Sequence, residues 1–436
     1  MMKRLLIFVA FVVALAGCSN IKKIFHDEKV KNRREWYQAR AKIIYGVGVE
    51  HLKAGSFDKA RSSAIEAIRL DPDYVPARVL LAKVLLEDGD YAAAIEQLRR
   101  AEAISPGDAE VAYLLGQAFE RRGQFAQALK QYQKARALDP AKNAYILASA
   151  NVLVLMGKTK EAMELLDLRL SRTIGNPAML LFAGEIAMLN HLPEKAADFF
   201  RRCLDQQPNS LTVRESLAKA EFFAHHYADA LTHLKVIDQQ IRKMESSKQS
   251  ESETYQSLHR GKKSWVYLMM GDCYMAMNQP WRARRSYEKA CQIAPNDWRI
   301  WLNLAKANIA IGPDYLQDAI ISARRALALN DQSIEAAVIL ANALLHRWNN
   351  LSQARSASIW QDAMEVIVPL MRKHPDDPIL WCMLGRCYEA GGFPRKATAC
   401  YLSALRIDPN NSLAKSILSK RTIPAIQNST SATNGG

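Results

Sequence analysis

Residues 378–411 read PILWCMLGRCYEAGGFPRKATACYLSALRIDPNN, and eight of them decide the fold: Trp381, Leu384, Gly385, Tyr388, Ala397, Tyr401, Ala404 and Pro409. Their spacing has a mechanism. Gly385 and Ala397 are small where two antiparallel helices approach closely, and Tyr388 and Tyr401 are large enough to fill the gaps between one helical hairpin and the next. Pro409 ends the second helix, because proline cannot donate the backbone hydrogen bond that continuation needs. Working outward, the helix-ending proline recurs at Pro72, Pro106 and Pro140, each 34 residues apart, then at Pro208 after a further 68, and again at Pro295 and Pro375. Counting back from Pro140 finds Leu115, Gly116, Phe119, Ala128, Tyr132 and Ala135 in register, and Pro295 follows Tyr267, Gly271, Tyr274, Ala283, Tyr287 and Ala290. A fixed period of this length is the signature of a repeat architecture, in which each hairpin buries its apolar faces only by stacking on neighbours.

On these residues the chain resembles the tetratricopeptide repeat family. The resemblance implies an all-α fold, a right-handed α-solenoid of about ten stacked hairpins. Six hairpins are expected over 41–237 (41–74, 75–108, 109–142, 143–176, 177–210 and 211–237) and four over 264–411 (264–297, 298–333, 334–377 and 378–411). Ile174 stands where the fourth unit should have proline. Residues 238–263 are polar and mixed in charge, which reads as an exposed loop or projecting helix end and as the hinge of the array. The ninth unit is about ten residues too long; Asn349-Asn350 signals a turn, and Ser352 is placed to cap a lengthened second helix. A polar capping helix is expected at 412–421, followed by a disordered tail at 422–436 rich in Ser, Thr, Asn and Gly.

Lys3 and Arg4 precede an unbroken apolar or small run from Leu5 to Gly17, too short to span a bilayer but right for a signal peptide at 1–17. Leu15-Ala16-Gly17-Cys18 resembles the bacterial lipobox, which implies cleavage before Cys18 and a diacylglycerol thioether on its sulfur. Each buried acyl methylene contributes about 0.8 kcal/mol, so two or three chains amount to a permanent anchor. In such lipoproteins Asp just after the anchor marks retention at the inner membrane. This chain has Ser19 and Asn20, so the resemblance favours the periplasmic face of the outer membrane. The leader at 18–40 is basic, and over Ile21 to Lys42 eight Lys or Arg face three acids. Ile21, Ile24 and Phe25 share one helical face, so the segment reads either as a surface lying on an anionic leaflet or as a solvated leader.

The 436 residues exceed one ordinary core, and glycine and proline together make 35 of them, about 8%, which excludes a collagenous or low-complexity chain. Lys and Arg exceed Asp and Glu by 59 − 44 = 15, consistent with an anionic partner or surface. The six remaining cysteines (Cys203, Cys273, Cys291, Cys382, Cys387 and Cys400) lack metal-type spacing and read mainly as buried thiols, with Cys382 or Cys387 and Cys400 as the local pairing worth testing. No HExxH, P-loop, GxSxG, dinucleotide turn or paired-cysteine zinc pattern is present, so no enzyme activity, cofactor or metal is expected. His225 and His226, with His233 beyond, fall at the turn of the sixth hairpin. Trp298 with Trp301 and Phe222 with Phe223 read as packing between helices.

In tetratricopeptide proteins the ligand groove is lined by the first helix of each hairpin. Equivalent positions here are Val49, Lys83, Gln117, Asn151, Glu185 and Lys219, then Asp272, Lys306, Asn342 and Arg386. Lys306, Asn342 and Arg386, with Asn303 nearby, resemble the carboxylate clamp of chaperone-docking relatives. The match is partial, since Leu302 and Val338 occupy positions where that pattern has a further Lys. The resemblance therefore implies a membrane-anchored, non-enzymatic scaffold that binds protein or peptide segments during assembly of a pilus, secretion or polysaccharide-export machine. Electrostatic docking to anionic envelope polymer and service as an adaptor for a peptidoglycan enzyme are the alternatives; no nucleic acid partner is expected outside the cytoplasm.

Overall fold

The computed structural model describes residues 31–246, 253–349 and 359–427, and its regular structure there is helical throughout. The signal peptide, Cys18, Ser352 and residues 428–436 lie outside the described residues. Two compact units divide between Gln206 and Gln207.

Among the described residues the first unit holds ten helices: α1 over 31–53, α2 Phe57–Leu70, α3 Val75–Glu87, α4 Tyr91–Ile104, α5 Ala109–Arg121, α6 Phe125–Leu138, α7 Asn143–Leu155, α8 Thr159–Leu170, α9 Pro177–Leu189 and α10 Pro193–Gln206. They pair in sequence as five hairpins. The second unit pairs α11 (Leu211–Phe223) with α12 (Tyr227–Ser246), α13 (Glu253–Ala276) with α14 (Pro280–Ile293), α15 (Trp298–Ile311) with α16 (Leu316–Leu329), α17 (Ile334–Asn349) with α18 (Ile359–Lys373), and α19 (Pro378–Ala390) with α20 (Pro394–Ile407). The final α21 runs Ser412–Gln427, past the expected end at 421. Its Ala414, Ile417 and Leu418 pack with Tyr401 and Tyr388, which docks the first turns of the helix on the last hairpin.

Four of the described hairpins close by setting a glycine against an aromatic ring of the same hairpin, whereas the sequence reading placed Tyr401 in the gap between hairpins. Gly116, Gly184, Gly271 and Gly385 lie against the rings of Tyr132, Phe200, Tyr287 and Tyr401, always 16 residues on, and a Cβ at any of the four glycines would overlap the ring. Tyr132, Tyr287, Tyr401 and Phe200 are accordingly among the largest fully buried side chains. The inter-helix turns repeat with the same period: Gly55, Gly89, Gly123, Gly157, His191 and His225, each 34 apart, all take positive φ. Glycine adopts that conformation without a Cβ clash, so the two histidines hold it at a cost.

Polar bonds stitch hairpin to hairpin. The Arg78 guanidinium donates to the Pro72 carbonyl at 2.7 and 3.0 Å, and the indole N–H of Trp301 donates to Pro295 at 2.8 Å. Trp381 does the same to Pro375 at 2.7 Å and Arg214 to Pro208 at 2.6 Å. The fourth unit, which lacks the proline, turns instead through Gly175 at φ +77°, with Leu170 and Leu180 packed where a Cβ would sit.

Of residues 238–263, the described 238–246 and 253–263 are helical. The end of α12 buries Ile237 and Ile241 against Val266 and Tyr267 of α13. Tyr267 donates to Asp238 at 2.9 Å while Arg242 donates to Tyr267 at 2.8 Å, and Lys262 pairs with Glu215 at 3.0 Å. Residues 247–252, the centre of the polar stretch, lie outside the described residues, and the division between compact units falls at 206–207. In the ninth unit the first helix extends to Asn349, and the remaining extra length falls at 350–358, outside the described residues.

Candidate peptide-binding grooves

In the first unit the first helices of successive hairpins line a cavity of about 620 Å³ bordered by Leu52, Lys83, Leu86, Glu110, Tyr113, Gln117 and Arg121. A second depression of about 440 Å³ continues it from Tyr113 and Gln117 past Glu120, Leu147 and Asn151 to Phe182. Lys83, Gln117 and Asn151 stand where the sequence reading put the groove. The lysine pairs with Glu110 of the next hairpin at 2.7 Å, Gln117 donates to the Tyr113 hydroxyl at 3.0 Å, and Asn151 donates to Glu120 at 2.8 Å. Glu120 also accepts the Tyr132 hydroxyl at 2.6 Å. Tyr113 was missed by sequence reasoning, although it sits four residues before Gln117 and so on the same helical face. Its ring lies between Tyr132 and Tyr145, with centroids 5.6 and 4.9 Å away, and it borders both depressions.

In the second unit the four clamp candidates form two clusters. Arg386 of α19 donates to Asn342 of α17, while Lys306 of α15 pairs with Glu335 at 2.6 Å. Asn303 donates to Asp272 of α13 at 3.1 Å, and Asp272 also accepts the Tyr287 hydroxyl at 2.7 Å. Burial pushes the Asp272 carboxyl above its ordinary 3.8, against the opposing pull of the Tyr287 hydrogen bond, the Lys306 charge and the Asn303 amide. A carboxylate of the chain itself thus stands beside Asn303 and Lys306. Leu302 is in the core and Val338 packs against it.

Trp298 and Trp301 pack against Leu302, Ala326 and Ala336; Phe222 packs on the core and meets Phe223 edge-on at 5.5 Å, while Phe223 itself is exposed. The six described cysteines are buried free thiols, Cys382, Cys387 and Cys400 included. Burial raises them all, Cys273, Cys291 and Cys387 to about 12 and Cys400 to about 11, which leaves little thiolate for nucleophilic chemistry near neutral pH. At the sixth turn His225 pairs with the Tyr227 hydroxyl at 2.7 Å. His226 bonds the buried Glu221 carboxylate at 2.7 Å, and Asp229 joins them within 4.8 Å, a set of donors able to chelate a cation. Glu221 occupies a position that is Phe119, Leu153 and Ala187 in earlier units, so periodicity marks it as core and gives no sign of this contact.

Family models described as tetratricopeptide repeat match residues 51–118, 109–142, 266–297 and 379–411. The hairpins thus define a class of repeat protein that presents groove-lining first helices to protein segments. This chain is a tetratricopeptide-repeat protein. No curated protein matches it. Among solved structures, it is similar to a tetratricopeptide repeat protein of Parabacteroides merdae, with 14% identity over 61% of this chain and 98% of that one and a TM-score of 0.39. It is also similar to a thermophilic TPR protein of Thermus thermophilus (21% identity, 42% and 99% coverage, TM-score 0.34). A third is YrrB, described as a TPR protein with an unusual peptide-binding site (15% identity, 51% and 99% coverage, TM-score 0.37).

Proposed function

We propose that this repeat protein is a non-enzymatic scaffold, held by lipid on Cys18 at the periplasmic face of the outer membrane, whose grooves dock segments of proteins assembling a pilus, secretion or polysaccharide-export machine. The observation that carries the scaffold role is the continuous depression along α3, α5, α7 and α9, which offers the Tyr113 ring among fixed polar groups. A bound segment gains apolar contact from Tyr113, Leu86 and Phe182, and backbone hydrogen bonds from Gln117 and Asn151. In the second unit, Lys306, Asn342 and Arg386 with Asn303 take a partner's carboxylate by exchanging their present partners. That exchange costs the pairing with Glu335, so it rewards only a well-placed acid.

The test is photocrosslinking in intact cells from a probe at Gln117 and, separately, at Asn342. One dominant envelope protein from either position supports the scaffold; products without preference for the groove over a probe at exposed Ile174 oppose it. Alanine at Lys306, Asn342 and Arg386 together is expected to abolish capture at the second groove with helicity retained, and undiminished capture removes the clamp. Cys18→Ala is expected to leave the protein in the inner-membrane or soluble fraction, and unchanged outer-membrane fractionation removes the anchor.

A second reading rests on two clefts between second helices of the first unit. Arg99, Arg100 and Arg122 border one of about 540 Å³, and Arg136, Arg169 and Arg172 another of about 290 Å³. Such clefts suit an anionic envelope polymer. Binding of that kind falls steeply with ionic strength, whereas apolar groove binding persists.

A further inference from the structure

The described part of α1, 31–53, is already longer than the first helices of the next four hairpins, which span 13 residues each. Its inner face packs on the array through Ala41, Ile44, Tyr45, Val49 and Leu52. At about 100° per residue, Trp36, Arg40, Ile43 and Val47 fall within roughly 60° of one another on the opposite face. Trp36 is 55% exposed, Ile43 69% and Val47 49%, and the Arg40 guanidinium rides 5.5 Å from the Trp36 ring centroid while reaching Glu66 at 3.5 Å. Arg33 is exposed on the same side; the one acid there, Glu50, pairs with Lys53 at 2.8 Å. Repeat arrays ordinarily end in a polar face. This end carries large apolar groups beside cations.

We propose that this outer face of α1 docks on the surface of an anionic bilayer. Trp36, Ile43 and Val47 enter the headgroup region, and Arg33 and Arg40 meet lipid phosphates. Two observations select this occupant. The twelve residues between Cys18 and Lys31 can reach at most about 40 Å, so an acylated Cys18 keeps α1 within touching distance of the membrane. Over Ile21 to Lys42, eight cations against three acids complement an anionic leaflet, and a tryptophan flanked by arginine suits the interface between headgroups and acyl chains. The inference rests on the lipid-anchor reading and adds to it the orientation of the first hairpin.

The test uses the lipidated protein on vesicles of phosphatidylcholine with and without phosphatidylglycerol. The six described native thiols are buried and Cys18 is acylated, so Ile43→Cys supplies one accessible site for an environment-sensitive fluorophore; Ile174→Cys, at an 83% exposed position, is the control. On anionic vesicles the label at 43 is expected to brighten about threefold and to be quenched by brominated lipid, with the label at 174 unchanged. Trp36→Ser with Val47→Ser is expected to abolish that brightening while helicity and flotation persist. A label at 43 that stays wet while the protein floats with vesicles overturns the docking face and leaves the anchor standing. Failure to float overturns the anchor reading and this inference with it. A label already dry without vesicles means that residues 19–30 or a second copy cover the face, and overturns the proposal.

Discussion

His191 holds φ at +56° in a turn that the equivalent residues 34, 68 and 102 earlier fill with glycine. A left-handed non-glycine residue costs about 1–2 kcal/mol, and glycine returns part of that through its freedom in the unfolded chain, so His191→Gly is expected to stabilise by about 0.5–1 kcal/mol in urea unfolding. The same substitution at His225 should gain less, because the hydrogen bond to Tyr227 is lost with the ring. Asp272 gives a pH-dependent counterpart. With its carboxyl raised by burial, the native state keeps a proton that the unfolded chain has already released. Native protein then binds more protons, and stability falls as pH rises from the ordinary carboxylate value through the raised one. Asp272→Asn keeps an acceptor for Tyr287 but does not titrate. The mutant's stability relative to wild type is expected to increase across that window and then level off; a difference independent of pH would refute the assignment.

At the scale of elements, the junctions between hairpins carry the repeat's least obvious bond. Trp381 and Trp301 are placed by the consensus as packing residues, yet each also donates to the carbonyl of the proline six residues earlier. Trp381→Phe retains the apolar contact and removes that donor, with an expected loss of about 0.5–1.5 kcal/mol in thermal or urea unfolding. No change would mean that water satisfies the Pro375 carbonyl as well as the indole does. The α12–α13 pair shows the complementary lesson. Residues 238–263 read as a loop or a projecting helix end because polar residues dominate the count, while the apolar residues that pack α12 on α13, Ile237, Ile241 and Val266, are few and far apart in sequence.

Across the whole molecule, energy in a repeat array is shared mainly between neighbours. Gly116→Ala would drive a Cβ into the Tyr132 ring, an overpacking expected to cost about 1–3 kcal/mol. Amide exchange is expected to accelerate about 5- to 100-fold in α5, α6 and the adjoining hairpins, with α19 and α20 unaffected. Uniform acceleration through both units would show that the chain unfolds as one cooperative body.

The sequence by itself determined the hairpins, their period and the recurrence of small and large residues such as Gly385 and Tyr401, because helix geometry forces packing positions to recur at fixed spacing; that the Tyr401 ring lies on Gly385 of its own hairpin came from the structure. Groove positions such as Lys83, Gln117 and Asn151 were legible for the same reason. Only the tertiary structure decided which groove groups are already engaged, Lys306 with Glu335, Arg386 with Asn342 and Asn303 with Asp272. It also decided that Glu221 meets His226, that the division falls after Gln206, and that Tyr113 joins two depressions. Those outcomes depend on how far one hairpin is displaced and rotated against the next, a matter of ångströms between residues some 30 apart in sequence, which no periodic pattern encodes.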